Sequence, residues 1–215
     1  MNEHAPRPAG RPKDMDKREA ILEAAGGLFL EHGFDRTTMD AIAAAAGVSK
    51  LTVYSHFHDK EGLFRALIAR KCDQYFEGKD FEQLGTLPPR EALTRLADGF
   101  LGLMYHRDVL SLYRLLIGGA SQEASQNRVF YETGPRPTIE SLARLLGGYS
   151  ARGQLRIEDP RRAAEHLLAM LQGCMHQRAL LNVEPSPPAA RALKEHIEDV
   201  VAVFLRAYAP TFERG

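Results

Sequence analysis

Apolar positions recur at helical spacing along nearly the whole chain, and no stretch sustains the alternation of a strand. The sequence therefore predicts an all-α fold of about nine helices. The first runs from Asp16 to His32, with Ile21, Leu22, Ala25, Leu28 and Phe29 as its apolar stripe and Gly33 at its end. Gly26 and Gly27 each cost roughly 1 kcal/mol relative to Ala inside it, which points either to close packing on a neighbouring helix or to a softer helix. Thr37 reads as the N-cap of a short second helix, with Asp40 in its first turn; Ile42 and the surrounding alanines give it a small, close-packing surface. Gly47 supplies the left-handed residue past its end, and Val48 plugs the turn. Ser49 caps a third helix, Lys50 to Phe57, on which Val53 and Phe57 face inward while Lys50, Leu51, Thr52, Tyr54, Ser55 and His56 are left outside. Asp59 caps a fourth helix that carries Leu63, Phe64, Leu67 and Ile68 on its inner side and continues to Phe76.

The pattern divides the chain into a tail over residues 1–15, a helical head over 16–62 and a larger helical body over 63–215, with the turn-rich Gly78 to Pro89 marking the boundary beyond the connecting fourth helix. In the body, helices are expected over Arg90 to His106 and Asp108 to Ile117. A seventh, from near Gln122 to Tyr149, must kink or restart at Gly134, Pro135, Arg136 and Pro137, a place suited to a cavity mouth. Asp159 and Pro160 open a helix to about Leu181, and a last helix covers Ala189 to Ala209. These final two carry more apolar positions than one face needs, as expected if one side packs on the body and another on a second subunit.

An exposed Tyr, Thr and Lys on a short helix after a glycine turn meets the needs of a helix placed in a major groove: base-edge partners at its N-terminal end and phosphate donors beside them. The segments LFLEHGF, TTMDAIAAAAGVSK and TVYSHFHDKEGLF resemble, at their spacing, the tetracycline-repressor (TetR) family of transcriptional regulators over about the first third of the chain. The resemblance implies that Thr38, Tyr54 and Lys60 hold phosphates of double-stranded operator DNA and that Lys50, Leu51, Thr52 and His56 lie toward base edges. Position 51 is usually small in that family, so Leu51 either touches a thymine methyl or limits the approach of the helix. It further implies a homodimer built on a four-helix bundle from the last two helices of each chain, with Leu167, Leu171, Met175, Ile197, Val201 and Phe204 as the interface candidates. A small-molecule cavity is implied between helices five and eight. Phe100, Met104, Tyr105, Tyr113, Phe130, Met170 and Cys174 are the candidates to line it, though aromatics and methionines at helical spacing read equally as plain core.

Composition tempers the nucleic-acid reading, because 28 basic and 28 acidic residues leave no overall positive field. Binding then has to rely on placed donors and helix N-termini, with some help from a tail in which Arg7, Arg11, Lys13, Lys17 and Arg18 outnumber Glu3, Asp14 and Asp16. Cys72 and Cys174 are far apart and lack metal-ligand spacing, so they read as two buried thiols, and neither a metal nor a cofactor is expected. The polar, proline-bearing N-terminus and the absence of a spanning apolar run predict a cytoplasmic protein with no membrane partner. No Gly-rich phosphate loop, GxSxG or HExxH is present, and His166, His176 and Glu165 read as polar helix positions or ligand anchors. The expected function is a homodimeric repressor, not an enzyme, released from a near-palindromic operator by a small apolar effector. The alternative is an all-helical small-molecule-binding protein or enzyme whose helix-turn-helix reads nothing.

Overall fold

The computed structural model describes residues 11–76, 81–118, 124–183 and 187–210, and among these every regular element is a helix. In order they are α1 (Arg11–Arg36), α2 (Met39–Ala45), α3 (Lys50–Phe57), α4 (Lys60–Phe76), α5 (Phe81–Leu84), α6 (Pro89–Met104), α7 (Arg107–Gly118), α8 (Ala124–Thr133), α9 (Pro135–Ala151), α10 (Pro160–Leu180) and α11 (Ala190–Ala207). The count exceeds nine because Phe81–Leu84 forms one helical turn and the seventh expected helix divides at Gly134 into α8 and α9. The chain separates into two compact units between Leu67 and Ile68, inside α4, rather than at 62/63 or in the turn-rich 78–89. No helix among the described residues is long and apolar enough to cross a membrane.

In the first unit, Ile21, Leu22, Ala25 and Phe29 of α1 are buried, as are Ile42 of α2, Val53 of α3 and Leu63 and Phe64 of α4. Phe29, Phe34 and Phe64 close this core as a ring cluster with centroids 5.4, 5.6 and 5.3 Å apart. The first helix begins at Arg11, so it takes in residues assigned to the tail; the rest of that tail, residues 1–10, lies outside the described residues. Gly33 ends the regular helix as expected, at φ 81° and ψ 164°. Thr37 is not the cap of α2. It is buried, with its hydroxyl donating to the Gly33 carbonyl (2.7 Å) and close to that of Leu28 (3.1 Å), and Thr38 is the residue whose side chain accepts from Ala41 N. With two adjacent threonines, sequence alone could not say which hydroxyl turns inward.

The choice left open at the two glycines of α1 resolves differently at each. A Cβ on Gly26 would make van der Waals contact with Leu67 Cδ1 at 3.4 Å, so that position faces a packed neighbour, whereas a Cβ on Gly27 would have nothing within 4 Å. Gly27→Ala is therefore expected to stabilise the head by about 0.5–1 kcal/mol, the helix-propensity difference, read as a higher urea midpoint. An unchanged or lower midpoint would mean that the extra backbone freedom is used there.

In the second unit, Leu93, Leu96, Ala97 and Leu101 of α6 are buried against α10 and α11. Tyr149 of α9 is fully buried and donates to the Leu84 carbonyl at 2.9 Å, with that of Leu87 at 3.0 Å, pinning the short α5 segment to the body. One expectation is overturned here. Leu167, Leu171, Ile197, Val201 and Phe204, assigned to a subunit interface, are all buried within their own chain, and only half-buried Met175 keeps partial access. An apolar position on α10 or α11 can be covered by α6 as well as by a second chain, and the apolar pattern alone cannot distinguish the two. The kink at Gly173 (φ 51°, ψ −167°) was not foreseen either; His196 Nε2 lies 2.8 Å from the Leu171 carbonyl beside it, a contact that requires the proton on Nε2. Cys174, just past the kink, is exposed rather than buried.

Candidate nucleic-acid interface and effector cavity

The turn between α2 and α3 forms because each residue has a local reason to be there. Gly47 takes φ 66°, which a side chain would oppose, and the Ser49 side chain accepts from Thr52 N to cap α3. Val53 and Phe57 anchor α3 in the core, and the opposite face is presented to solvent, with Leu51 79 % and Tyr54 39 % exposed. Lys50 is exposed and reaches Asp40 at 2.8 Å, a pairing that raises its pKa through the hydrogen bond to and charge of that carboxylate. The ammonium lies 5.9 Å from the Tyr54 ring, so the two form one exposed group. Thr52 is half-buried and its hydroxyl bonds that of Ser49 at 2.8 Å; Thr38 is exposed at the start of α2.

Two of the expected contact residues are placed otherwise. His56 is only 14 % exposed; it leans on Phe57 and its Nε2 lies 3.3 Å from the Asp14 carboxylate of α1. Lys60 turns inward: its ammonium donates to the carbonyls of Phe34 (2.7 Å), Thr37 (3.1 Å) and Asp35 (3.3 Å) and sits 4.4 Å from the Phe34 ring centre. An ammonium has three protons, and here three backbone oxygens take them. Lys60 is thus a clasp on the end of α1, where partial negative charge gathers, and not a free phosphate donor.

The second unit contains a cavity of about 240 Å³. Of the seven candidates, Phe100, Met104, Tyr113 and Phe130 line it. Tyr105 lies in the core with its ring 5.9 Å from that of His176, Met170 is half-buried, Cys174 is exposed, and none of these three lines the cavity. Gly134 and Pro135, at the break between α8 and α9, do line it, as the two closely spaced prolines suggested. Glu165 of α10, read as a polar helix position or ligand anchor, also lines it, whereas sequence reasoning missed Ile68, Lys71 and Cys72 of α4 and Leu168 and Gln172 of α10. Their spacings of three or four residues put each set on one helix face, a signal that was available.

The polar groups at this wall are neutral or already matched. Lys71 Nζ lies 3.0 Å from Asp108 Oδ2, and Glu165 Oε1 lies 3.4 Å from Arg161 Nε. Burial first, and the nearby Cys72 second, push the Tyr113 hydroxyl up to about 12; burial and then Asp73 push the Cys72 thiol up to about 11. Behind Tyr113, His176 is buried with no hydrogen-bond partner for Nε2 among the described residues, and burial holds its pKa below the usual imidazole value despite a backbone bond at Met104.

A helix-turn-helix with a solvent-facing second helix, in the same chain as a helical unit holding an apolar cavity, marks a DNA-binding regulator. The family described as bacterial regulatory proteins, tetR family, matches residues 21–67, and the AefR-like transcriptional repressor C-terminal domain matches residues 91–210. The chain belongs to the TetR family. A TetR-family transcriptional regulator from Mesorhizobium loti is 30 % identical, with a TM-score of 0.74 over 93 % of this chain and 100 % of its own. The flavonoid-responsive regulator FrrA is 34 % identical, with a TM-score of 0.71 over 91 % and 98 % of the two chains. The HTH-type transcriptional repressor ComR of Escherichia coli is 42 % identical over 66 residues, 31 % of each chain, so that match spans less than a third of the relative's length.

Proposed function

We propose that this chain is a homodimeric transcriptional repressor whose grip on a near-palindromic operator is loosened by a small apolar effector. The observation that carries the reading is the orientation of α3: Val53 and Phe57 are buried while Lys50, Leu51 and Tyr54 stand in solvent. In this reading Tyr54 and Thr38 bond phosphates, and Lys50 leaves Asp40 to meet DNA. Leu51 touches a thymine methyl at the base edges, where a bulky apolar side chain is otherwise unfavourable on a surface. Two such helices about 34 Å apart would enter successive major grooves. The outward residues of α10 and α11, exposed Cys174 and Val203 together with half-buried Met170, and exposed Leu181 just past the end of α10, supply the second-subunit contact in place of the residues found in the core. Helix α4 supports the effector part, since it begins at Lys60 in the head and contributes Ile68, Lys71 and Cys72 to the cavity wall. A ligand that favours one tilt of α4 shifts the equilibrium by no more than its differential affinity for the two tilts. That the related FrrA is flavonoid-responsive supports a small-molecule effector here.

The test is a gel-shift titration on the DNA upstream of the chain's own coding region, with sites refined by selection from a random pool. Tyr54→Phe should weaken binding alike across sequences without changing the salt slope, because no charge is lost. Lys50→Ala and Leu51→Ala should change base preference. Unaltered binding in all three variants, or a sedimenting mass of one chain at micromolar concentration, would remove the reading.

A further inference from the structure

The cavity's size, charge and donors together narrow what it can hold. We infer that it takes an uncharged molecule of about two fused aromatic rings bearing one hydrogen-bond-accepting oxygen, met by the Tyr113 hydroxyl and the Cys72 thiol. This rests on the reading of the cavity as the effector site and adds the ligand's chemical class.

A dry cavity of about 150 Å³ takes benzene, so 240 Å³ suits a two-ring frame and is small for an unfolded long acyl chain. The walls suit flat rings, since they include Phe100 and the edge-to-face pair Tyr113 and Phe130, centroids 5.1 Å apart. The charged groups among the described lining residues are already paired. The cation Lys71 is matched by Asp108 and the anion Glu165 by Arg161, so a charged ligand would shed its hydration for no free counter-ion. Two donors remain. The Tyr113 hydroxyl and Cys72 thiol are close enough to interact electrostatically, make no hydrogen bond among the described residues, and stay protonated at neutral pH. Neither can serve as a nucleophilic anion there, so the contact is a hydrogen bond and not a covalent capture.

The experiment titrates the full chain, without DNA, with four probes on one frame at pH 7: 2-naphthol, naphthalene, 1-naphthoate and N-methylquinolinium. 2-Naphthol should bind about fivefold more tightly than naphthalene, the worth of one net hydrogen bond. It should bind at least about tenfold more tightly than either ion. Tyr113→Phe should erase the naphthol advantage while leaving naphthalene within about twofold, whereas a purely structural tyrosine would weaken both alike. Either ion binding as well as 2-naphthol, or no naphthol advantage to erase, overturns the inference. Operator binding is then measured with and without saturating 2-naphthol. If the probe binds as described but DNA binding is untouched, the effector reading fails and the ligand class stands. If another compound releases the DNA and 2-naphthol does not bind, the ligand class fails and the effector reading stands.

Discussion

Replacing Gly62 with alanine is expected to destabilise the head by about 3 kcal/mol or more, the upper end of overpacking costs where backbone must move. The reason lies in how tightly α4 follows α3. His58, the residue after α3, takes φ 64°, and Asp59 N lies 2.7 Å from the Phe57 carbonyl, so the chain reverses within two residues. Asp59 then caps α4 by accepting from Gly62 N at 2.6 Å. A Cβ at position 62 would overlap the Phe57 carbonyl oxygen and press on the Asp59 carboxylate 3.3 Å away. Neither atom is the end of a flexible side chain free to swing aside, because one is backbone and the other is the cap. Relief would come from tearing α4 off its cap or displacing the end of α3, which carries the exposed Tyr54. Hydrogen exchange over residues 21–67 should therefore accelerate and specific DNA binding should fall, with the body's exchange unchanged. If Gly62→Ala matches the parent in both exchange and urea midpoint, the close approach is softer than its geometry implies.

The difference between what could and could not be read from sequence has a physical pattern. Ser49, Gly47, Val53 and Phe57 were legible because capping, positive φ and one-turn spacing are local properties. Ser49 does cap, Gly47 is left-handed, and the two apolar residues are buried. Leu51 and Tyr54 emerge on the exposed side for the same reason, since fixing the buried pair fixes the opposite face. Gly62 and Lys60 were illegible as structural residues because their demands come from chain distant in sequence or folded back beneath them. A glycine in a first helical turn looks indifferent, and a lysine there looks free. On α10 and α11 the apolar excess was visible but not its partner: α6 covers residues that had been given to a second chain. At the cavity, Tyr105 and Tyr113 were equal candidates, yet one, at the end of α6, lies in the core and the other, within α7, lines the cavity. Their difference is set by which neighbouring helices leave space, a property of the packed body and not of helical periodicity.

Lys60→Met is expected to lower the head's stability by about 2–3 kcal/mol, in the range of hydrogen bonds made by a charged group, and to leave the salt slope of DNA binding unchanged. Methionine keeps the length of the aliphatic stem against Phe34 but removes the donors to the carbonyls of Phe34, Asp35 and Thr37. Those oxygens close the end of α1 and the approach to α2, so losing their partner frays the brace on which α3 rests. Arginine should restore the lost stability only in part, because its planar fork does not match three oxygens grouped around a single ammonium. A phosphate-binding lysine would behave in the opposite way: its loss would leave the urea midpoint alone and reduce the dependence of log K on log salt by about 0.9. Should Lys60→Met unfold at the parent's urea concentration and lower the salt slope by about 0.9, the clasp must open on DNA, and Lys60 belongs with the phosphate contacts after all.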